Sequence, residues 1–278
     1  MPLYITSLNS GSNGNCYYIG NNSEAILVDA GISCLEIQKR MQRLGLSMDK
    51  IKAVFVSHEH TDHIKGVAVL AKRFQIPVYI TPATLFQGGV KLDSHLVRSF
   101  LAHEPINIGE LSITAFPKCH DASDPYSFSI SSNDLKVGVF TDIGSPCDHL
   151  INHFKQCHAA FLEANYDELM LENGSYPHFL KTRIRGGKGH LSNKQALELF
   201  TLHRPMFMSH LVLSHLSKNN NCPDLVSELF NKHAMGVKII VAGRYAETEV
   251  ICIENITTTV LKSIKQKFSS TQLAFSFA

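Results

Sequence analysis

Four side chains that bind metals in proteins lie within six residues of one another, directly after the apolar run Ala53–Val56. They are His58, His60, Asp62 and His63. They cannot all lie on one face of a strand or a helix, so this spacing predicts a loop that wraps around ions. Neutral imidazoles suit a metal such as zinc, and a carboxylate can serve a second ion. Because no cysteine lies nearby to close the coordination, the motif predicts a catalytic site rather than a structural zinc site.

Short apolar runs rich in β-branched and aromatic residues recur along the chain and predict strands. Helical patterns cover residues 33–45, 63–75, 145–155, 192–203 and 223–233, and Ser192 is the expected N-cap of the fourth. Strands come in runs at both ends with helices interspersed, whereas a doubly wound parallel sheet alternates them throughout. The order therefore predicts an α+β fold in which two sheets lie between helices. Residues 165–191, which are punctuated by Gly and Pro, are expected to be irregular.

The composition favours one large domain, which we place over residues 1–254, followed by a tail or terminal helix over 255–278. The 278 residues, 44% of them hydrophobic, suffice for one large core. A formal net charge of +2 gives no strongly cationic field, so any polyanion site must be local. The seven scattered cysteines show no CxxC spacing, and no apolar run is long enough to cross a membrane. We therefore expect a cytoplasmic protein without a membrane partner.

The motif HEHTDH resembles the HxHxDH signature of the metallo-β-lactamase superfamily, and LVDAG, KCHDA, FTDIG and LSHLS resemble its other ordered motifs. The resemblance implies an αββα four-layer sandwich that binds two divalent ions. It implies that Asp29 supports the ligand loop without binding metal. The implied first site is His58, His60, His120 and Asp142, and the second is Asp62, His63, Asp142 and His215. Histidine-rich ligation favours Zn²⁺, while Mn²⁺ and Fe²⁺ stay open. His60, where di-iron redox members carry Glu, favours the hydrolytic branch.

Two further motifs resemble those of nucleases in this superfamily. GHLSN implies that His190 donates a proton during catalysis, and LEAN implies that Glu163 orients it, with Asp62 as a further catalytic residue. Protonation of the leaving oxygen matters more for an alkoxide leaving phosphate than for a thiolate. Together with SLNSGSNGNC and HLSKNN, the motifs resemble the YycJ/WalJ-like subfamily. That resemblance implies hydrolysis of nucleic acid, with DNA cleaved in the 5′-to-3′ direction from an end.

Substrate contacts are predicted in three polar segments. A Gly-rich turn can expose backbone N–H groups to an anion, and a cluster of cations leading into His190 can contact phosphates. The predicted substrate-binding residues are Ser10, Asn13, Asn15, Arg183, Arg185, Lys188, Ser217 and Asn220, with Lys181 in the same cationic segment.

Other functions use the same metal ligands. A thioesterase or lactonase acting on a small molecule would make the cationic segment and His190 incidental. A regulatory protein on a retained metal-binding scaffold is disfavoured because no expected ligand is missing. Too few residues separate Asp142 from His215 to hold the cap domain of β-CASP nucleases, and the long arm of tRNA 3′-processing enzymes is missing. The preferred polymer, the native metal and the oligomeric state stay open.

Overall fold

The computed structural model describes residues 1–255 and contains two mixed sheets of seven strands each. The first sheet has the order β14-β1-β2-β3-β4-β5-β6. Its strands are β1 (Leu3–Asn9), β2 (Cys16–Gly20), β3 (Ala25–Val28), β4 (Ile51–Phe55), β5 (Val78–Tyr79), β6 (Val97–Arg98) and β14 (Ile251–Ile253). It is antiparallel from β14 to β3 and parallel from β3 to β6.

The second sheet has the order β13-β12-β11-β10-β9-β8-β7. Its strands are β7 (Pro105–Ile108), β8 (Leu111–Pro117), β9 (Tyr126–Ser132), β10 (Leu135–Phe140), β11 (Ala159–Glu163), β12 (His210–Ser214) and β13 (Lys238–Val241). Strands β10 to β13 run parallel, so their carboxyl ends meet at one edge of the sheet.

Nine α-helices lie in the described part of the chain. They are α1 (Cys34–Arg43), α2 (Thr61–Ile64), α3 (Val67–Phe74), α4 (Pro82–Gln87), α5 (Asp148–Phe154), α6 (Glu168–Asn173), α7 (His178–Arg185), α8 (Asn193–His203) and α9 (Pro223–Asn231). Two short 3-10 helices span Met48–Lys50 and Ser94–Leu96. None of these helices is long and apolar enough to span a membrane.

Three buried apolar clusters produce the layers. Successive strand residues point to opposite faces of a sheet, so Tyr17 packs between the two sheets while Tyr18 packs under the helices of the first sheet. Phe161 from β11 joins Tyr17 in the central cluster. Helices α5, α8 and α9 cover the outer face of the second sheet through residues such as Phe154 and Phe200. The αββα sandwich predicted from the sequence is confirmed.

Several predicted elements differ from the structure. Residues 63–75 do not form one helix, because the Gly66 N–H donates to the Ala30 carbonyl oxygen and divides the segment into α2 and α3. Residues 165–191 are not irregular, since they contain α6 and α7, which enclose a small apolar cluster around Leu171 and Ile184. The capping box of α8 forms as Ser192 predicted, with Gln195 as its partner. Apart from Asn255, the predicted tail lies outside the described residues.

Candidate metal centre

The ligand loop begins where β4 ends and passes directly into the single turn of α2. His60 is the N-cap residue of α2, and Asp62 and His63 lie within that turn. His58 precedes the turn in the loop after β4, and its side chain is fully buried. The backbone of His60, with φ −59° and ψ 142°, is not helical, and the helical turn starts at Thr61. The four side chains therefore do not share one regular element, as the spacing predicts.

Two sets of nitrogen and oxygen donors converge around this loop. His58, His60 and His120 form the first set, with His58 Nε2 3.1 Å and His120 Nε2 3.4 Å from His60 Nδ1. Asp62, His63 and His215 form the second set. In it, Asp62 Oδ2 lies 3.6 Å from His63 Nε2 and 3.5 Å from His215 Nε2. Each set offers three atoms to a central ion, as the metallo-β-lactamase resemblance implies.

Asp142 lies between the two donor sets. Its Oδ2 atom is 3.1 Å from His63 Nε2, and its Oδ1 atom is 3.8 Å from His120 Nε2 and 3.6 Å from His215 Nε2. Oδ2 is buried and, although it is close to His63, makes no hydrogen bond of regular geometry. A buried carboxylate oxygen without a hydrogen bond is unfavourable unless a cation satisfies it, so these donors fit a pair of divalent ions that share Asp142.

Three residues of the centre have left-handed backbone conformations. The φ angles of Asp29, Asp142 and His215 are 61°, 56° and 55°. Each follows a strand end by one or two residues, so the chain turns sharply where the sheets meet the centre. Left-handed conformations of residues other than Gly are uncommon and persist only where the surroundings impose them. No sequence signal distinguishes this geometry, although Asp and His tolerate it better than β-branched residues do.

Asp29 supports the ligand loop without being one of the grouped donors. It is fully buried and accepts hydrogen bonds from the N–H and Oγ–H of Ser57, each at 2.8 Å. Its Oδ2 atom lies 2.7 Å from His63 Nδ1. Because Nδ1 is engaged by Asp29, the Nε2 atom of His63 is left to face the centre.

Glu163 contacts two histidines. Its Oε1 atom lies 2.8 Å from His190 Nδ1 and 2.9 Å from His215 Nδ1. Its Oε2 atom accepts the backbone N–H groups of Ile143 and Leu191. The sequence resemblance implied the contact with His190, but the contact with His215 appears only in the structure. Glu163 therefore orients a candidate ligand and the candidate proton donor together.

The charges of the centre favour bound cations. Burial lowers the pKa of His120 to about 4, against the effect of Asp142, so this imidazole is neutral and able to bind a metal. Burial also opposes a charge on His215, but Asp142, Asp62 and Glu163 outweigh it and raise the pKa of this imidazole to about 10. The buried carboxylates thus require positive charge from protons or from metal ions.

Three of the predicted substrate-binding residues are buried, and two of them contact residues of the centre. Ser10 accepts the His215 N–H at 2.7 Å, and Asn15 donates from Nδ2 to Asp62 Oδ2 at 3.2 Å. Asn220 donates to Ser217 Oγ at 3.4 Å and has no exposed surface. Ser10 and Asn15 therefore hold the candidate ligands His215 and Asp62 in position through these hydrogen bonds. Asn13 is exposed, and Ser217 is partly exposed.

The predicted cationic segment is largely helical. Lys181, Arg183 and Arg185 lie on α7, and Lys188 lies in the turn that follows. A glycine-punctuated loop was expected here, but the glycines begin only at Gly186, after the helix has ended. Arg183 Nε lies 2.5 Å from Asp121 Oδ2. Arg185 Nη2 lies 2.6 Å from Glu172 Oε2. Both guanidinium groups are thus paired with carboxylates.

Sequence reasoning missed three residues at the centre. Lys118 is buried, and its Nζ donates to the Thr141 carbonyl oxygen at 2.8 Å. Asn165 Nδ2 donates to the His215 carbonyl oxygen at 2.7 Å. Arg244 contacts the turn that carries Asn13. Lys118 and Asn165 belong to the quoted motifs KCHDA and LEAN and lie two residues from His120 and Glu163, which is the signal that could have identified them. Arg244 had no such signal.

A family model described as the beta-lactamase superfamily domain matches residues 24–216, which include the whole ligand loop and every grouped donor. The chain belongs to the metallo-β-lactamase superfamily. It is similar to the exodeoxyribonuclease YycJ of Bacillus anthracis, with 31% identity over 246 residues that cover 85% of this chain and 92% of the relative. It is also similar to the exodeoxyribonuclease WalJ of Streptococcus pneumoniae, with 32% identity over 78% of this chain and 83% of the relative.

A similar architecture occurs in the metallo-β-lactamase fold protein YhfI of Bacillus subtilis. The TM-score is 0.70 with 18% identity, and the match covers 91% of this chain and 100% of that structure. At this identity the likeness shows the fold alone.

Proposed function

We propose that this chain is a metal-dependent exodeoxyribonuclease that holds two divalent ions, with zinc favoured by its imidazoles and manganese or iron as alternatives. The 5′-to-3′ direction is proposed from the YycJ/WalJ resemblance. The names of the two curated relatives support DNA as the polymer. We place the catalytic unit in residues 1–254, and a cytoplasmic location stays a prediction from the sequence.

The position of His190 carries this proposal. Its ring centroid lies 5.4 Å from that of His120 and 5.3 Å from that of His215, so it faces candidate ligands of both ions. The side chain of His190 is 18% exposed, whereas that of Glu163 is fully buried. His190 is thus the partner in this pair that a bound substrate can reach.

The residues of the centre have different roles in phosphodiester hydrolysis. When bound, two divalent ions supply a water of lowered pKa and a clamp for the phosphate oxygens. Asp29 and Asn15 hold His63 and Asp62 in place. Because Nδ1 of His190 is engaged by Glu163, the proton for the leaving oxygen is carried on Nε2.

The proton donor also separates this function from a thioesterase. A thioesterase or lactonase uses the same ligands. A thiolate leaves without a proton donor, so the Glu163–His190 pair would have no role in a thioesterase. A lactone and a phosphodiester both release an alkoxide, so the pair favours these substrates over a thioester, and the names of the curated relatives favour the phosphodiester.

The test is cleavage by the purified protein, with elemental analysis of the same sample. We expect close to two transition-metal ions per chain and shortening of end-labelled DNA from its 5′ end. RNA of the same sequence, a thioester and a lactone serve as competing substrates. Faster turnover of the thioester or lactone, or a sample that binds no metal under conditions that retain weakly held ions, would refute the proposal.

A further inference from the structure

Arg244 carries a charge that no carboxylate neutralises among the described residues. Its Nη1 donates to Asn13 Oδ1 at 2.8 Å, and its Nη2 donates to Ser12 Oγ at 2.7 Å. Its Nε atom is buried without a partner. A guanidinium has five N–H donors, so only part of its capacity is used, and uncharged oxygens use it.

The acid nearest to Arg244 in sequence has other partners. Glu247 accepts from Arg43 through both carboxylate oxygens, at 2.7 and 2.8 Å, and lies 4.0 Å from Arg40 Nε. Arg244 therefore stays available for an anion from outside the chain.

The turn beneath Arg244 is tied to the metal centre. The Ser10 N–H donates to the Gly243 carbonyl oxygen at 3.1 Å, while Ser10 Oγ accepts the N–H of His215. On the other side, Asn15 donates to Asp62. Partial burial lowers the pKa of the Arg244 guanidinium, and Tyr245, Tyr176 and Asp62 oppose this. Ser10 therefore links Gly243, the residue before Arg244, to His215 of the second donor set.

The turn also fixes the position of the guanidinium. Gly11 has a φ of 125°, and a Cβ atom there would lie 2.8 Å from Nη1 and 3.1 Å from Cζ of Arg244. The guanidinium packs directly on this glycine, and Ser12 and Asn13 hold it from the side. A preorganised guanidinium loses little entropy when it binds an anion.

We propose that Arg244 binds a phosphate of the substrate adjacent to the one that is cleaved. This inference rests on the proposed nuclease function and adds a substrate-binding contact to it. A guanidinium matches phosphate oxygens in geometry and charge. The phosphate is either an internal linkage or a 5′-terminal phosphate, and the chemistry of recognition is the same for both.

Kinetics of Arg244→Gln provide the first test, with Arg98→Gln as the matched control. Arg98 is exposed and likewise donates to two uncharged oxygens, the carbonyls of His95 and Val97. For a DNA oligonucleotide we expect Arg244→Gln to raise KM by about 10- to 100-fold, the scale of one charge-assisted hydrogen-bond contact. The KM for bis(p-nitrophenyl) phosphate, which has no neighbouring phosphate, should hardly change. Arg244→Lys should recover part of the loss.

Chemical removal of single charges locates the contact. A series of oligonucleotides carries one uncharged methylphosphonate linkage each, at successive positions. We expect the parent protein to cleave more slowly when the modified linkage is the one that Arg244 contacts. The cleavage rate of Arg244→Gln should not change when that same linkage is modified. Comparison of 5′-phosphorylated with 5′-hydroxyl ends distinguishes a terminal phosphate from an internal one. Equal sensitivity of both proteins at every position, the 5′ end included, would overturn the inference.

Binding measurements distinguish failure of the Arg244 phosphate contact from failure of the nuclease proposal. In a His190→Ala background, the Arg244→Gln change should weaken oligonucleotide binding and reduce the log–log salt slope by about 0.7, the value for one contact on a single strand. If the parent protein cleaves no DNA but binding still depends on Arg244, the nuclease proposal fails and the phosphate contact stands. If binding is independent of Arg244 while metal content and thermal unfolding are unchanged, the phosphate contact fails.

Discussion

Two cation-bearing edges flank the metal centre, and they differ in how their charges are used. The α7 edge, which consists of Lys181, Arg183, Arg185 and Lys188, carries more positive charge. However, Asp121 and Glu172 pair with its arginines. The Arg244 edge, which consists of Ser12, Asn13 and Arg244, has one guanidinium, held by uncharged oxygens. A paired arginine must lose its carboxylate partner before it can bind a phosphate. The number of cations in a segment therefore does not indicate which surface binds phosphate.

The largest loss of activity should come from a substitution in the metal centre, which lies between the two edges. His60→Ala removes an atom of the first donor set, so we expect loss of one metal ion per chain and of measurable turnover. His233→Ala, which removes an exposed imidazole elsewhere, is the control. Elemental analysis with a cleavage assay checks both quantities. Full metal content in His60→Ala would remove this residue from the ligand set.

His190→Ala should reduce turnover without removing metal. Loss of a general acid costs about 10²- to 10⁴-fold in rate, and a substrate with a better leaving group should recover much of it. His178→Ala changes an exposed histidine at the start of α7 and is the control. Loss of metal in His190→Ala would contradict the role, as would full activity on an unactivated phosphodiester.

Simultaneous replacement of Arg183 and Arg185 by Ala tests the α7 edge. If both arginines contacted phosphates, as the sequence predicts, each lost contact would reduce the slope of log binding constant against log salt concentration by about 0.7 to 0.9. Because both arginines already form ion pairs, we expect a smaller change, with KM rising less than about threefold. Binding titrations at several salt concentrations measure the slope. A loss as large as that expected for Arg244→Gln would show that the two edges do not differ.

Glu172→Gln should produce the smallest effect, in the opposite direction. It frees Arg185, and the side chain of Glu172 is 63% exposed, so the fold should tolerate the change. We expect oligonucleotide affinity to rise about two- to threefold, within the range of a surface ion pair. Glu228→Gln, which frees Lys232 at the C-cap of α9, is the matched control. Unchanged affinity would mean that Arg185 contacts no phosphate even when it is free.

Local sequence was sufficient for much of the fold and of the candidate site. The alternation of Tyr17 and Tyr18 between two cores follows from strand geometry, and Ser192 with Gln195 defines the start of α8. The ligand loop was predictable because its donors are close in sequence. The helix predicted over 63–75 was wrong because a hydrogen bond from Gly66 to Ala30, which local patterns do not encode, divides it.

The sequence by itself determined that four candidate metal ligands lie together, because His58 to His63 need only a strand end to be brought together, whereas His120, Asp142 and His215 were implied by the family resemblance. Only the tertiary structure decided which polar residues are buried, which are paired with a carboxylate and which are not. Arg183 meets an acid 62 positions away, and Arg244 meets Asn13 across 231 positions. The folded structure also buries Ser10 and Asn15, which form hydrogen bonds with His215 and Asp62. Charge pairing and burial depend on such long-range contacts, and residues distant in sequence meet only when the chain has folded.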